Sequence, residues 1–142
     1  MKKYLLILVS IISLNVFYAQ DNSIVGTWEG DDNGETARFI FDSDGYVYLT
    51  MEGVTYGGPS YDMNGTEASL IYKVDYSKSP NWIDFVINIK EDNSSFDMMK
   101  GILEFQDNYT TLKICLNFSE ESNRPTNFFS ENNDTFVLKK IE

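Results

Sequence analysis

In the run Trp82–Lys90, Ile83, Phe85, Ile87 and Ile89 alternate without a break against Trp82, Asp84, Val86, Asn88 and Lys90. A repeat of two places successive side chains on opposite faces of an extended chain, whereas the apolar positions of a helix recur every three or four residues. The alternation returns at Ala68–Tyr76, where Leu70, Tyr72, Val74 and Tyr76 oppose Ser69, Ile71, Lys73 and Asp75. It is also present at Thr36–Phe41, with Phe39 and Phe41 opposing Arg38 and Ile40. At Thr110–Phe118, Leu112, Ile114, Leu116 and Phe118 oppose Thr111, Lys113, Cys115 and Asn117. The chain closes on Asp134–Ile141, where Phe136, Leu138 and Lys140 oppose Val137, Lys139 and Ile141. No stretch carries an amphipathic helical pattern, so the fold class is all-β.

Between these runs stand residues that favour turns. Asp31-Asp32-Asn33-Gly34, Asp42-Ser43-Asp44-Gly45, Ser77–Asn81 with Pro80, Glu91–Ser95 and Gln106–Tyr109 each punctuate the pattern. Adding Ile24–Gly30, Tyr46–Met51 and Asp97–Phe105 gives eight strands. Eight short antiparallel strands close readily into a single up-and-down barrel, whose interior is filled by side chains or holds one small ligand. A two-sheet β-sandwich is the alternative. Glu52–Thr66 is rich in glycine (Gly53, Gly57, Gly58, Gly65) and holds Pro59, so it reads as a loop, or as a bent strand through Val54–Tyr56. A loop of that length either lies over a barrel mouth or is only a mobile connection.

The first twenty residues belong to a different category. Lys2-Lys3 precede an apolar run from Leu5 to Val16, and Phe17–Gln20 is a cleavage region. This is the layout of a signal peptide, and the run is short for a membrane span. Residues 1–20 are therefore read as a signal peptide and 21–142 as one β-barrel domain, secreted or periplasmic, with no stable membrane span after cleavage. With Lys2 and Lys3 removed, 9 basic residues face 22 acidic ones, a net charge of −13. Such a surface repels nucleic acid and anionic lipid. Cys115 is the single cysteine, so no internal disulfide can form, and on a strand it reads as a small buried hydrophobe more than as a reactive thiol.

The inventory for catalysis is thin. The chain has no His, which removes the commonest general base and metal ligand and excludes Ser–His and Cys–His chemistry. Asp42-x-Asp44-Gly45 resembles a fragment of a calcium loop, but no ligating acid follows at the required position. No phosphate-cradling glycine motif is present. Glu104 shares a face with Ile102 and reads as solvent-facing, and the only arginines are Arg38 and Arg124. Arg124, before Pro125, reads as the partner of a carboxylate or of carbonyls more than as an anion site. Five Asn-x-Ser/Thr sequences, at Asn64, Asn93, Asn108, Asn117 and Asn133, read as coincidence in an Asn-rich chain. No enzyme, cofactor or metal is expected.

Gly26-Thr27-Trp28 on the first strand resembles the Gly-x-Trp signature of lipocalins. Gly101-Ile102-Leu103-Glu104, Leu112-Lys113-Ile114-Cys115, Arg124-Pro125-Thr126 with Phe128, and Leu138-Lys139-Lys140 resemble the C-terminal half of a family of bacterial secreted lipocalin-like domains of unknown function. Leu103 stands where that family usually has Tyr. The resemblance implies a lipocalin-like barrel with Trp28 near one end, covered by Lys139 or Lys140 in place of the usual Arg, and carries over no catalytic residue. Two functions follow as expectations. The first is a small apolar ligand in a cavity lined by Phe39, Phe41, Tyr48, Leu70, Tyr72, Phe85 and Ile87. The second is a protein-interaction or inhibitor module of the cell envelope with no small-molecule ligand. A lined cavity favours the first; a packed interior and an apolar surface patch favour the second.

Overall fold

A computed structural model describes residues 24–119, 123–129 and 134–142, and the segment read as a signal peptide lies outside them. The strands are β1 (Gly26–Asp32), β2 (Glu35–Phe41), β3 (Val47–Met51), β4 (Val54–Met63), β5 (Thr66–Asp75), β6 (Asn81–Ile89), β7 (Ser95–Gln106), β8 (Thr111–Asn117) and β9 (Asp134–Lys140). They form one closed barrel in sequence order, not a sandwich of two sheets. Among the described residues there are nine strands where the alternation predicts eight, and the additional one is β4. In the glycine-rich stretch, read as a loop or as a bent strand through Val54–Tyr56, the strand runs from Val54 to Met63 between turns at Glu52-Gly53 and Asn64-Gly65.

The odd number has a geometric consequence. If every neighbour is antiparallel, directions alternate around the ring, and nine alternating directions cannot close on an antiparallel pair. Yet β1 and β9 are antiparallel, with Trp28 opposite Lys140 and Glu29 opposite Lys139. One strand must therefore reverse along the barrel axis, and β4 does so at Gly57-Gly58-Pro59. Its first half pairs with β3, from Met51 opposite Val54 to Tyr48 opposite Gly57. Its second half pairs with β5, from Tyr61 opposite Ala68 to Met63 opposite Thr66, after a register shift between Gly58 and Tyr61. Below the bend β3 and β5 meet directly, through the antiparallel bridge Tyr46–Ile71 and the Tyr72 N–H donated to the Gly45 carbonyl at 3.0 Å. The barrel thus keeps the directions of eight strands, and β4 fills the wedge where β3 and β5 splay.

Glycine is required at that bend. Gly57 and Gly58 have φ of 104° and 81°, a region that L side chains rarely adopt. A Cβ on Gly57 would also meet the Val47 carbonyl, and one on Gly58 the Tyr48 ring.

The alternating apolar residues point inward. Trp28, Phe39, Phe41, Leu49, Leu70, Ile83, Phe85, Leu103, Leu112 and Ile114 are each at most 1% exposed. Burying one such side chain stabilises by roughly 1.5–3 kcal/mol. Ring contacts run across the interior: Phe39–Phe136 at 5.4 Å, Phe41–Tyr72 at 5.0 Å and Phe41–Phe85 at 6.2 Å between centroids.

The outer face of β7 and β8 is buried as well, because a distant segment straps over it. Ile102 and Cys115, opposite each other in register, are 1% and 0% exposed. The anchors of residues 123–129 surround them. Arg124 donates to Asp84 Oδ1 at 2.6 Å and to the carbonyls of Gly101 at 2.8 Å and Ile83 at 3.1 Å. Its guanidinium stacks 4.4 Å from the Trp82 ring centroid. Asn117 Nδ2 donates to the Asn123 carbonyl at 2.6 Å, Thr135 Oγ1 to that of Phe128 at 2.9 Å, and Pro125 is buried.

Candidate functional site

Strand directions sort the connections into two ends, and the ends differ in chemistry. At one end lie the Asp42–Gly45, Tyr76–Pro80 and Asp107–Thr110 turns together with Ile24 and Glu142. Trp28 closes it. The indole N–H donates to the Ile24 carbonyl at 2.7 Å, and the ring packs on Phe105 at 6.0 Å, which packs on Tyr109 at 5.1 Å. Lys140 Nζ stands 5.4 Å from the Trp28 centroid, a cation–π arrangement. Tyr72 O–H donates to the Asp42 carbonyl at 2.8 Å. Asp107, Asn108 and Tyr109 all have positive φ; the turn so formed seats Tyr109 on Phe105. An open groove of 580 Å³ runs outside this end along Pro80, Asn81 and Leu103–Tyr109.

The opposite end carries the Asn33-Gly34, Glu52-Gly53, Asn64-Gly65 and Lys90–Ser94 turns, and among the described residues no side chain closes it as Trp28 closes the first. Here inward-facing side chains emerge from the core into solvent. Val54 and Tyr56 pair with Met51 and Leu49 and are 48% and 47% exposed. Phe96 pairs with Ile87 and is 47% exposed, and Phe118, edge-on to Phe136 at 6.5 Å, is 42% exposed. Met51, Tyr61, Met63, Ile89 and Met98 pack against the core beneath them, partly buried. Burial there pushes the Tyr61 phenol above its usual range. Methionine is unbranched and polarizable, which suits a surface that adapts to what it meets.

The residues expected to line a cavity are placed as follows. Phe39, Phe41, Leu70 and Phe85 point inward and are at most 1% exposed, with Ile87 at 5%; Tyr72 points inward, partly buried against the same cluster. They touch one another and fill the interior. Tyr48 lies on the other face: it alternates with buried Val47 and Leu49, and its ring lies by Gly58. Val54, Tyr56, Phe96 and Phe118, the exposed rim, were not on that list. In the sequence Val54 and Tyr56 stand beside Gly53 and Gly57 and Phe96 follows the Glu91–Ser95 turn, while the face that Phe96 takes is set by the register shift between Phe85 and Val86.

Of the motif residues, Trp28, Leu112 and Gly101 are interior, while a Cβ on Gly26 would strike the Glu142 carbonyl at 2.5 Å. Arg124 and Pro125 form the strap. Lys139 lies away from Trp28, its Nζ 2.5 Å from Thr111 Oγ1 and 3.3 Å from Asp107 Oδ2. Glu104 is half-buried on the outer face and accepts from Gln106 at 2.8 Å. Asp42 Oδ1 accepts from the Asp44 and Tyr46 amides at 3.0 and 2.8 Å, which makes it a turn acceptor. Among the described residues no cluster of three or more His, Cys, Asp or Glu is arranged to hold a metal ion. Burial pushes the Cys115 thiol up, away from the reactive thiolate. Asn64, Asn93 and Asn108 are positive-φ turn residues, Asn117 is buried and bonded under the strap, and Asn133 lies outside the described residues.

Comparisons with family models, with curated proteins and with solved structures give no match for this chain.

Proposed function

We propose that this chain is a binding module that engages a partner through the apolar end of its barrel and encloses no ligand in its interior. The observation that carries this reading is a contrast within one set of inward-facing side chains. Those in the middle of the barrel pack on each other, whereas Val54, Tyr56, Phe96 and Phe118 continue the same faces into solvent. Exposed apolar patches mark interaction sites in soluble proteins, and these four side chains lie at the same end. The reading includes the exported, lipocalin-like character implied by the N-terminal segment and by the Gly-x-Trp and Arg-Pro-Thr motifs, and it includes no catalysis.

The test uses Nile red, an uncharged dye whose emission shifts to the blue on apolar surfaces. Saturable binding at one site is expected. The double variant Tyr56→Ser/Phe96→Ser should abolish it while thermal unfolding stays within a few degrees. Dye binding that survives this substitution would sink the proposal.

A further inference from the structure

Strand register treats charge differently at the apolar end and over much of the rest of the barrel. Away from that end, opposite charges face each other across neighbouring strands: Glu29 with Arg38, Lys73 with Asp84, Asp84 with Lys100 and Glu104 with Lys113. At the apolar end the register sets carboxylate against carboxylate. Asp32 stands opposite Glu35 at the tip of β1–β2, on the face that continues inward from Trp28. Asp62 stands opposite Glu67 at the tip of β4–β5. Like charges directly opposite destabilise a sheet.

Only the Asp62–Glu67 pair has a cation, while Asp32 and Asp62 accept from uncharged donors, Asn33 Nδ2 at 3.0 Å and the Gly65 amide at 2.6 Å. Lys90 Nζ reaches Glu67 Oε1 at 2.8 Å, and Ser60 donates to the same oxygen at 2.7 Å. The other cations nearby are also engaged, Arg38 with Glu29 and Lys100 with Asp97 at 3.6 Å. Among the described residues no cation pairs with Asp32, Glu35 or Asp62. The rim that exposes Tyr56 and Phe96 is thus negatively charged, and of these four carboxylates only Glu67 has a positive partner among the described residues.

From this complementarity we infer that the apolar end receives a basic, apolar segment of another polypeptide chain, a conclusion that rests on the binding-module reading above. Aliphatic or aromatic side chains of the segment cover Val54, Tyr56, Phe96 and Phe118, and its Lys or Arg side chains meet Asp32, Glu35 and Asp62. A lone small cation does not satisfy the arrangement. The β1–β2 and β4–β5 tips are separated by three strand spacings, roughly 15 Å along the perimeter, so one ammonium cannot serve both. The interior beneath is filled, so the occupant lies across the end and does not thread into it. A second copy of this chain would bring a net charge of −11 against itself. The chain's own residues 1–23 join at Ile24, at the opposite, Trp28-plugged end.

The experiment titrates the full chain with three fluorescent peptides of equal length and leucine content, whose polar positions are all Lys, all Glu or all Gln. The Lys peptide should bind at one site, and affinity should fall about tenfold or more when salt rises from about 0.05 M to about 0.5 M, as screening requires. The Glu peptide should not bind. Asp32→Asn/Glu35→Gln should weaken the Lys peptide about tenfold, with unfolding unchanged or raised, and should leave Nile red binding intact. Equal, salt-independent binding of the Lys and Gln peptides overturns the charge inference while the apolar-end reading stands. Loss of Nile red binding as well as of all peptides overturns both. Self-association by sedimentation that Tyr56→Ser abolishes overturns the inference in favour of a second copy. A concentration-independent carbodiimide cross-link from Lys2 or Lys3 to Glu35 overturns it in favour of the chain's own leader.

Discussion

The two ends of this barrel are made from the same alternating strands but finished in different ways. At the plugged end the inward-facing apolar groups are covered, although Tyr76, Tyr109 and Ile141 stand about half exposed around them. Trp28 lies under Lys140 and against Phe105, Phe105 lies under Tyr109, and the indole N–H is satisfied by Ile24. At the other end the strands run out before the apolar face does, and Tyr56 and Phe96 are left about half exposed. The first end needs a turn of three successive positive-φ residues and a polar partner for the Trp, features that serve stability. The second keeps apolar surface in water and like charges in register, features that cost stability and that the proposed partner would offset. Where a fold leaves such costs uncompensated, function is the place to look for the compensation.

The largest expected effect comes from opening the covered end. Trp28→Ala should destabilise by about 3–5 kcal/mol, the range for emptying a buried aromatic site, read as a lower urea midpoint. At the exposed end, Tyr56→Ser should stay within about 0.5 kcal/mol, as surface substitutions do. Comparable losses from the two variants would erase the distinction between the ends.

The strap provides the next largest effect. Arg124 joins Asp84, two ladder carbonyls and the Trp82 face, so Arg124→Ala should cost about 1.5–3 kcal/mol, the scale of hydrogen bonds to charged groups. Arg124→Lys should recover only part, because an ammonium lacks the planar fork. Release of the strap uncovers Cys115, so its labelling by a small maleimide should accelerate in Arg124→Ala under conditions where the barrel stays folded. Unchanged labelling would mean that the strap does not cover this face.

Residue alternation made most of this architecture legible, with instructive failures. Phe39, Phe41, Leu70, Ile83, Phe85 and Leu112 went inward because a period of two leaves no choice of face once one face is buried. β4 was illegible because Gly57-Gly58-Pro59, which makes the bend possible, is also the composition of a loop. Nothing local reports that β3 and β5 diverge and leave a wedge to be filled. Thr111 reads as solvent-facing from its alternation with Leu112, so Thr111→Asp reads as mild. It is 1% exposed, bonded to Asp107 and Lys139, so an added carboxylate there meets Asp107 and should destabilise. Cys115 and Ile102 are buried from outside by residues that follow later in the chain, which periodicity cannot see. The exposed rim was missed because its carboxylate pairs exist only once register is known.

The smallest effect concerns acid. The Thr111 hydroxyl, then Lys139, hold the Asp107 carboxyl below its ordinary range. A carboxylate whose folded pKa is lower than its unfolded value, about 4, binds fewer protons in the native state. Its contribution is complete above the unfolded value and is lost as pH falls through the folded one. Asp107→Asn should therefore reduce stability slightly at neutral pH and make the loss of Tm below about pH 4 shallower. Lys139→Ala should flatten the acid limb less, since Thr111 is the stronger cause. Asp92, held low by Ser94, and Glu67, held low by Lys90 and then Ser60, lie at the exposed end. Asp92→Asn should therefore flatten the limb as Asp107→Asn does, while Tyr56→Ser should leave its shape alone. An acid limb that Asp107→Asn does not alter would show that the turn carrying Tyr109 over the plug is held by packing alone.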